Sequence, residues 1–265
     1  MKSLSTKMVN KNNRIGITEN CDPAFHLEIF DNLYKGNIIV TKRLTDKLID
    51  KLVENKDKVI LHLTCTGMGG TKIEPLVPDV EATYRKACTL IEKSFPVEHI
   101  VLRIDPIIPT EKGIVTAENV VDKFKDTGIK RVRISFLDMY KHVEERFKAQ
   151  GIRLPDNYHG FHADDRARLE AWKHMVDCCA PYGMEIEMCG EPPIEGTDFK
   201  STPCLSQKDI DILGLTDEIV LEGKKEQRGT CDCPANKYQL WRGKPERCEH
   251  KCLYCYWKEE SQPSE

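Results

Sequence analysis

The C-terminal part of the chain carries the residues with the clearest chemistry, because five of the twelve cysteines crowd into positions 231–255. Cys248, Cys252 and Cys255 form a Cys-x3-Cys-x2-Cys array. Three thiolates so close in sequence can hold three corners of an iron–sulfur cubane and leave one iron without a protein ligand. That iron can bind nitrogen and oxygen donors such as the amino and carboxylate groups of a methionine moiety. An electron passed through the cluster can then break a carbon–sulfur bond of a sulfonium and form a carbon radical.

The same cysteines are also compatible with zinc. Five thiolates with Cys-x-Cys and Cys-x2-Cys spacings can form a structural four-thiolate site that holds the tail against the rest of the chain. Zinc ribbons usually pair two Cys-x2-Cys knuckles, which this tail lacks, so we favour the cluster. Cys231 and Cys233 form a candidate second site. Three roles are open to these two cysteines: binding of a second metal, transfer of electrons, or simple packing near the first site.

Strand-like and helix-like segments alternate before this tail. Short β-branched runs predict strands at residues 14–18, 37–41, 58–64, 99–105, 131–138 and 185–189. Amphipathic patterns predict helices at residues 24–34, 45–54, 80–94, 117–126, 139–149 and 163–180. This alternation is typical of an α/β fold with a parallel sheet and right-handed crossovers. Because the periodicity fades after about Gly223, we predict two domains, a partial barrel at residues 1–223 and a Cys-rich Fe–S-binding tail at residues 224–265, packed on the barrel mouth.

The predicted strands alternate apolar and polar residues, whereas parallel strands covered on both faces are usually continuous apolar runs. One face therefore carries charged side chains, which we predict to be catalytic: Arg103, Asp105, Arg133 and Glu187. Buried charges need partners, water or a ligand. A partial (β/α)6 TIM-like barrel with a polar lumen provides room for a ligand. The alternatives are an open doubly wound sheet and, for each charge, a purely structural ion pair.

The turn after the third predicted strand is a candidate ligand-binding loop. Ligands of barrels and open α/β sheets bind at the carboxyl ends of the strands. The turn TGMGG at residues 66–70 lies at such an end, and its glycines permit a close backbone approach. It matches neither the dinucleotide fingerprint nor the phosphate-loop pattern. We therefore predict cofactor contacts from Thr66, Gly67, Gly69 and Gly70.

The cysteine array resembles the signature of the radical-SAM superfamily, C-x3-C-x-aromatic-C, with Tyr254 in the aromatic position. The resemblance implies a [4Fe–4S] cluster on the three cysteines, S-adenosyl-L-methionine as the second cofactor, and Tyr254 among the residues that contact it. In most of the superfamily the motif follows the first strand, whereas here it lies near the C-terminus. His250 lies within the array, where it either is exposed or supports the metal ligands.

A narrower resemblance is to the DUF1848 family, which ends in the motif C-x-C…C-x3-C-x-Y-C-Y. This chain has Cys231-Asp-Cys233 followed by Cys248 to Tyr256. The similarity continues in DPAF at residues 22–25, RIDPII at 103–108 and ISFLDMY at 134–140. The segment RCEHKC at residues 247–252 is also similar to the C-terminal motif of the radical-SAM enzyme of arsinothricin biosynthesis, which transfers an aminocarboxypropyl group.

These resemblances imply an oxygen-sensitive enzyme that cleaves S-adenosyl-L-methionine reductively and performs radical chemistry on a small-molecule substrate. Most of the superfamily forms a 5′-deoxyadenosyl radical, and aminocarboxypropyl transfer is the minority alternative. They also imply an electron donor such as flavodoxin or ferredoxin. The rival hypothesis from another class is a zinc-stabilised binding or scaffold protein without turnover.

Composition argues against several other classes of protein. The net charge of −3 gives no electrostatic reason to expect a nucleic acid or an anionic membrane as partner. No apolar run approaches the roughly 20 residues of a membrane helix. The first dozen residues offer no apolar stretch for a signal peptide. We therefore expect a cytoplasmic protein, in which twelve cysteines indicate metal binding or catalysis rather than disulfides.

Overall fold

The computed structural model describes residues 13–224, 231–243 and 248–257. These residues form one parallel sheet whose seven strands are β1 Ile15–Ile17, β2 Gly36–Thr41, β3 Val59–Thr64, β4 Ile100–Ile107, β5 Arg131–Phe136, β6 Glu185–Met188 and β7 Lys237–Gln239. The strand order is β6-β5-β4-β3-β2-β1-β7. The six predicted strands and the mixed α/β class are confirmed. The partial barrel stays a prediction.

The seventh strand joins the tail to the sheet. β7 belongs to the segment 224–265, and it pairs in parallel register with β1 through Ile15–Lys237 and Ile17–Gln239. The sequence did not predict it because three residues are too few to show a period. The tail therefore contributes a strand to the sheet through the hydrogen bonds between β7 and β1.

The described helices lie between the strands, at α1 Asp46–Glu54, α2 Val80–Glu92, α3 Glu111–Phe124, α4 Lys141–Ala149, α5 Asp165–Cys179 and α6 Gln207–Ile212. α3 begins earlier than predicted because Thr110 caps it by accepting the backbone N–H of Gly113. The predicted helix at residues 24–34 is wrong, since only a 3-10 helix forms there, at Leu27–Asn32. The side chain of Asp22 binds the backbone N–H of Ala24 and holds the preceding chain in a turn. In the described parts of the chain, none of the helices has the length and apolar character to cross a membrane.

The two faces of the sheet differ in polarity. One face packs against the helices through buried aliphatic side chains such as Leu61, Leu102 and Val132. The other face is mostly apolar near the amino ends of the strands, where Ile38, Ile60 and Val101 cluster. Nearer the carboxyl ends it carries a laterally paired row of Thr64, Arg103, Arg133 and Glu187. The predicted alternation is therefore present, and most of the polar groups lie toward the carboxyl ends, with Arg131 at the start of β5 as an exception.

Part of this polar row is neutralised inside the protein. Arg133 is fully buried, forms an ion pair with Glu187 and donates from Nη1 to the Cys204 carbonyl at 2.8 Å. Arg131 also donates from Nε to Glu187 Oε1 at 2.7 Å. Burial opposes ionisation of Glu187, but Arg133 and Arg131 outweigh it and lower the pKa of the carboxyl. For Arg133 and Glu187 the structural ion pair is thus the arrangement that forms.

Replacing Arg133 with Met tests this reading. We expect Arg133→Met to lower the free energy of unfolding by about 3 kcal/mol, because it removes one partner of a buried pair while Arg131 remains beside Glu187. Arg153→Met is the matched control, since Arg153 pairs with Asp156 at the exposed surface, and we expect it to change stability by less than about 1 kcal/mol. Chemical denaturation measures both variants. Equal stability of the two would contradict the buried pairing.

Candidate metal centre

A cavity of about 580 Å³ lies at the carboxyl ends of the strands. All three cysteines of the array, Cys248, Cys252 and Cys255, line it. Arg103 and Asp105 from β4 line the same cavity. The structure therefore brings together two groups of residues that were predicted from distant parts of the sequence.

The loop between the first two cysteines is anchored by His250. This side chain is fully buried, with Nε2 at 2.8 Å from Asp22 Oδ2 and Nδ1 at 3.3 Å from the Leu76 carbonyl. Asp22 also accepts from the Thr41 hydroxyl at 2.6 Å. Burial opposes the charge on Asp22, but the hydrogen bonds from His250 and Thr41 outweigh it and lower its pKa. His250 is therefore a buried support for the array and not an exposed residue.

Tyr254 anchors the second half of the array. Its hydroxyl donates to Glu74, a fully buried carboxylate that also accepts from Thr66 Oγ1 at 2.6 Å and from Lys42 Nζ at 3.0 Å. The backbone N–H of Leu253 donates to the Ile73 carbonyl at 2.9 Å. Tyr254, predicted to contact the cofactor, lines the cavity, and its hydroxyl is held by the protein.

A third anchor comes from α4, on the far side of the array. Arg146 donates from Nη1 to the carbonyl of Cys255 and from Nη2 to the carbonyl of Trp257 at 2.8 Å. The array is thus fixed to the ends of β1 and β2, to the segment after β3, and to α4.

The cysteines of the array are not in disulfides; Cys252 is buried, and Cys248 and Cys255 are half-buried. Burial raises the pKa of Cys248 to about 11 and that of Cys252 to about 12. Lys42 lies near Cys252; burial opposes its charge, but Glu74 and Cys252 outweigh this and raise its pKa. Without a metal these thiols keep their protons near neutral pH, and metal binding releases such protons.

The glycine turn does not line the cavity, since Thr66, Gly67, Gly69 and Gly70 are all absent from its wall. Thr66 is buried and its hydroxyl is bound to Glu74. A Cβ on Gly67 would lie 2.5 Å from Thr116 Cγ2, and one on Gly69 would lie 1.9 Å from the Pro78 carbonyl oxygen, so close packing within the protein explains both glycines. Gly70 has a positive φ and open space around it. Cofactor binding by these four residues stays a prediction.

The charges predicted to be catalytic fall into two environments. Arg103 donates from Nε to Asp105 Oδ2 at 2.7 Å, and Ser135 donates to the other carboxylate oxygen, at the cavity wall. Burial opposes the charge on Asp105, but Arg103 and Ser135 outweigh it and lower its pKa. Arg133 and Glu187, in contrast, bind each other beneath the cavity.

Sequence reasoning missed several residues that shape this site. Lys42 and Glu19 line the cavity, and Asp22 and Glu74 hold the array. Asp22 belongs to the DPAF segment, so a signal for it was present, but nothing in the spacing indicated its partner. The candidate second-site residues Cys231 and Cys233 lie apart from the array, next to Cys204, and Cys231 reaches the same cavity. Arg247 of the RCEHKC segment lies outside the described residues.

The anchoring by Asp22 can be tested directly. We expect Asp22→Asn to lower the free energy of unfolding by about 2–3 kcal/mol, because it removes a buried charge that is hydrogen-bonded to His250. The array then opens locally at a lower cost in free energy. Each 1.4 kcal/mol lost from the free energy of opening corresponds to roughly tenfold faster alkylation of Cys248 and Cys252 in native protein. Mass spectrometry of labelled peptides measures this rate.

Asp57→Asn serves as the control, because Asp57 is an exposed carboxylate in the 3-10 helix Lys56–Lys58. It should label at the wild-type rate. If Asp22→Asn also labels at that rate, the hydrogen bond between Asp22 and His250 does not hold the array.

Comparison with known proteins gives a family match that covers the residues of this site. A family model described as Domain of unknown function (DUF1848) matches residues 16–257, which include the seven strands except the first residue of β1, the residues that line the cavity and the cysteine array. No curated protein and no solved structure matches the chain. Because the family model spans nearly the whole sequence, this chain belongs to the DUF1848 family.

Proposed function

We propose that this protein is a radical-SAM enzyme, with a [4Fe–4S] cluster on Cys248, Cys252 and Cys255 and a small-molecule substrate in the neighbouring cavity. The observation that carries the proposal is the position of the three thiols on the wall that also presents Arg103 and Asp105. When bound, the cluster supplies the electron that breaks a carbon–sulfur bond of S-adenosyl-L-methionine. The formation of a 5′-deoxyadenosyl radical is the leading expectation.

The donor set fits such a cluster. All three cysteines of the array line one cavity, and none of them is in a disulfide. Two residues between them are bound to protein partners, His250 to Asp22 and Tyr254 to Glu74. The array therefore offers three ligands and leaves a coordination position for the methionine end of the cofactor. Lys42 offsets part of the negative charge that three thiolates bring to a buried site.

The cavity suits a small substrate. Its volume of about 580 Å³ lies within the range of ligand sites, roughly 300–1,000 Å³. Arg103 is held by Asp105, so its guanidinium has a fixed position from which to orient a polar group of the substrate.

We further propose that the sheet is a partial (β/α) barrel. Strands β1 to β6 follow one another in space in the order of the sequence, and β7 continues beyond β1. Doubly wound sheets instead reverse their strand order at a switch point. The barrel mouth is then the end at which the cavity lies, and the electron donor, such as a cytoplasmic flavodoxin or ferredoxin, approaches the array from outside.

Metal analysis of protein purified without oxygen tests the cluster. We expect a brown protein with about four irons and four sulfides on the array. With a chemical reductant it should cleave S-adenosyl-L-methionine to 5′-deoxyadenosine, whereas methylthioadenosine as product would assign aminocarboxypropyl transfer. The triple variant Cys248→Ala, Cys252→Ala, Cys255→Ala should lose both the iron and the cleavage.

A double variant, Cys88→Ala with Cys178→Ala, is the control because both thiols lie in helices, and it should keep the iron. If wild-type protein is colourless, carries zinc on the array and takes up no iron on reconstitution, the enzyme hypothesis is wrong and the zinc-stabilised scaffold takes its place.

Arg103→Met tests whether the cavity holds a substrate. The cluster ligands are unchanged, so we expect iron content and cleavage of S-adenosyl-L-methionine within about twofold of wild type. Conversion of a metabolite in a small-molecule cell extract, followed by untargeted mass spectrometry, should fall by about tenfold or more because the positioning charge is lost. Arg153→Met should behave as wild type. If Arg103→Met converts the same metabolite at the wild-type rate, Arg103 does not position the substrate.

A further inference from the structure

A second group of metal-ligating side chains lies beside the cavity, apart from the array. It consists of Glu19, Cys204 and Cys233, whose ligand atoms all lie within 4.8 Å of one another. Glu19 follows β1, Cys204 lies between β6 and α6, and Cys233 precedes β7. Three separate segments of the chain therefore place one carboxylate and two thiols around a common point.

The group is enclosed on one side and open to the cavity on the other. Cys204 and Cys233 are buried, and the side chain of Glu19 is 16% exposed. Glu19 and Cys204 line the cavity, whereas Cys233 does not. An ion held by these three residues has protein behind it and the cavity in front of it.

The carboxylate of Glu19 is held in place by β7. Lys237 Nζ donates to Oε1 at 3.0 Å and to Oε2 at 2.8 Å, and Gln239 Nε2 donates to Oε2 at 3.1 Å. Gln239 Oε1 also accepts the backbone N–H of Glu19 at 3.1 Å. A carboxylate oxygen has about two lone-pair sites, so Oε1 keeps one for a metal. Carboxylates that ligate metals are commonly oriented by such hydrogen bonds.

The charges around the group suit a divalent ion. Two thiolates and one carboxylate bring three negative charges, of which a divalent ion leaves one. Lys237 is buried beside Glu19 and balances that remaining charge. Arg103 Nη1 lies 4.0 Å from the Cys204 sulfur, and Arg103 is itself balanced by Asp105. A site whose charges cancel costs less to bury than one with a net charge.

Cys189 supports the group without being one of its ligands. Its sulfur lies 2.9 Å from that of Cys204. Two sulfur ligands of a tetrahedral zinc ion are farther apart, at about 3.8 Å for zinc–sulfur bonds of about 2.3 Å. Once Cys204 has lost its proton to a metal, the Cys189 thiol is the donor in this contact. The parallel bridge between Met188 and Ser201 and the bond from Gly190 N–H to Ser201 Oγ at 3.0 Å hold the two segments together.

The donor set indicates zinc. Thiolates select zinc, copper(I) or an iron–sulfur cluster, whereas carboxylates suit harder ions. Zinc accepts both thiolate sulfur and carboxylate oxygen. Iron–sulfur clusters are held by Cys thiolates, so a set of two thiols and a carboxylate fits a single ion better. Structural zinc sites have four protein ligands, and sites with three keep one position open.

We propose that Glu19, Cys204 and Cys233 bind one zinc ion whose fourth position opens to the cavity. Water, or an oxygen or sulfur atom of a ligand in the cavity, fills that position. The site shares no ligand with the array, so it does not depend on the cluster proposed there. The ion also links the end of β1 and the start of β7 to the segment before α6.

The metal content of full-length protein purified without oxygen tests the proposal. We expect about one zinc per chain besides the metal of the array. Cys204→Ser and Cys233→Ser should each reduce zinc to about a tenth of the wild-type content, because a ligand is lost. Cys231→Ser is the matched control, since Cys231 lines the same cavity but is not a ligand, and it should keep the zinc. The triple alanine variant of the array should lose iron and keep zinc.

A second measurement uses wild-type protein and covers the case in which the serine variants do not fold. X-ray absorption at the zinc edge counts the donor atoms around the ion. We expect two sulfur ligands at about 2.3 Å and two oxygen or nitrogen ligands at about 2.0 Å. Glu19 supplies one of the two lighter donors, and the ligand in the open position supplies the other.

The contrary outcomes are distinct. Three or four sulfurs around the zinc place the ion on other cysteines, and zinc that disappears with the array cysteines places it on the array. Loss of zinc in Cys231→Ser equal to that in Cys204→Ser contradicts the ligand set. Wild-type protein that holds no zinc, even after zinc is added, overturns the site altogether.

Discussion

Two buried carboxylates, Asp22 and Glu74, determine where the cysteine array lies. An ionised carboxylate inside a protein is costly unless it is paired and hydrogen-bonded. Asp22 receives His250 and Glu74 receives Tyr254, and both donors come from within the array. If the array separates from the sheet, the carboxylates of Asp22 and Glu74 both lose a hydrogen-bond donor. The position of the three thiols at the cavity therefore depends on satisfying charges that belong to the body of the fold.

The polar face of the sheet is divided along the strands and also, within its polar row, between neighbouring strands. Aliphatic side chains close it near the amino ends, and the next row contains the internally paired Arg133 and Glu187. Arg103 and Asp105 are paired as well, yet they reach the cavity wall. A buried pair gives rigidity and a pair at the wall leaves donors near a ligand, so similar residues on neighbouring strands serve different purposes.

The sequence by itself determined the local features of this protein. The α/β class, six parallel strands, the array and the placement of Arg103 and Asp105 at a strand end follow from residue spacing and period. Only the tertiary structure decided which residues meet. The pairing of His250 with Asp22 and the convergence of Cys189, Cys204 and Cys233 join segments far apart in the chain. Alternation along a strand indicates the face of a side chain, but burial of a charge depends on what the rest of the chain places over it.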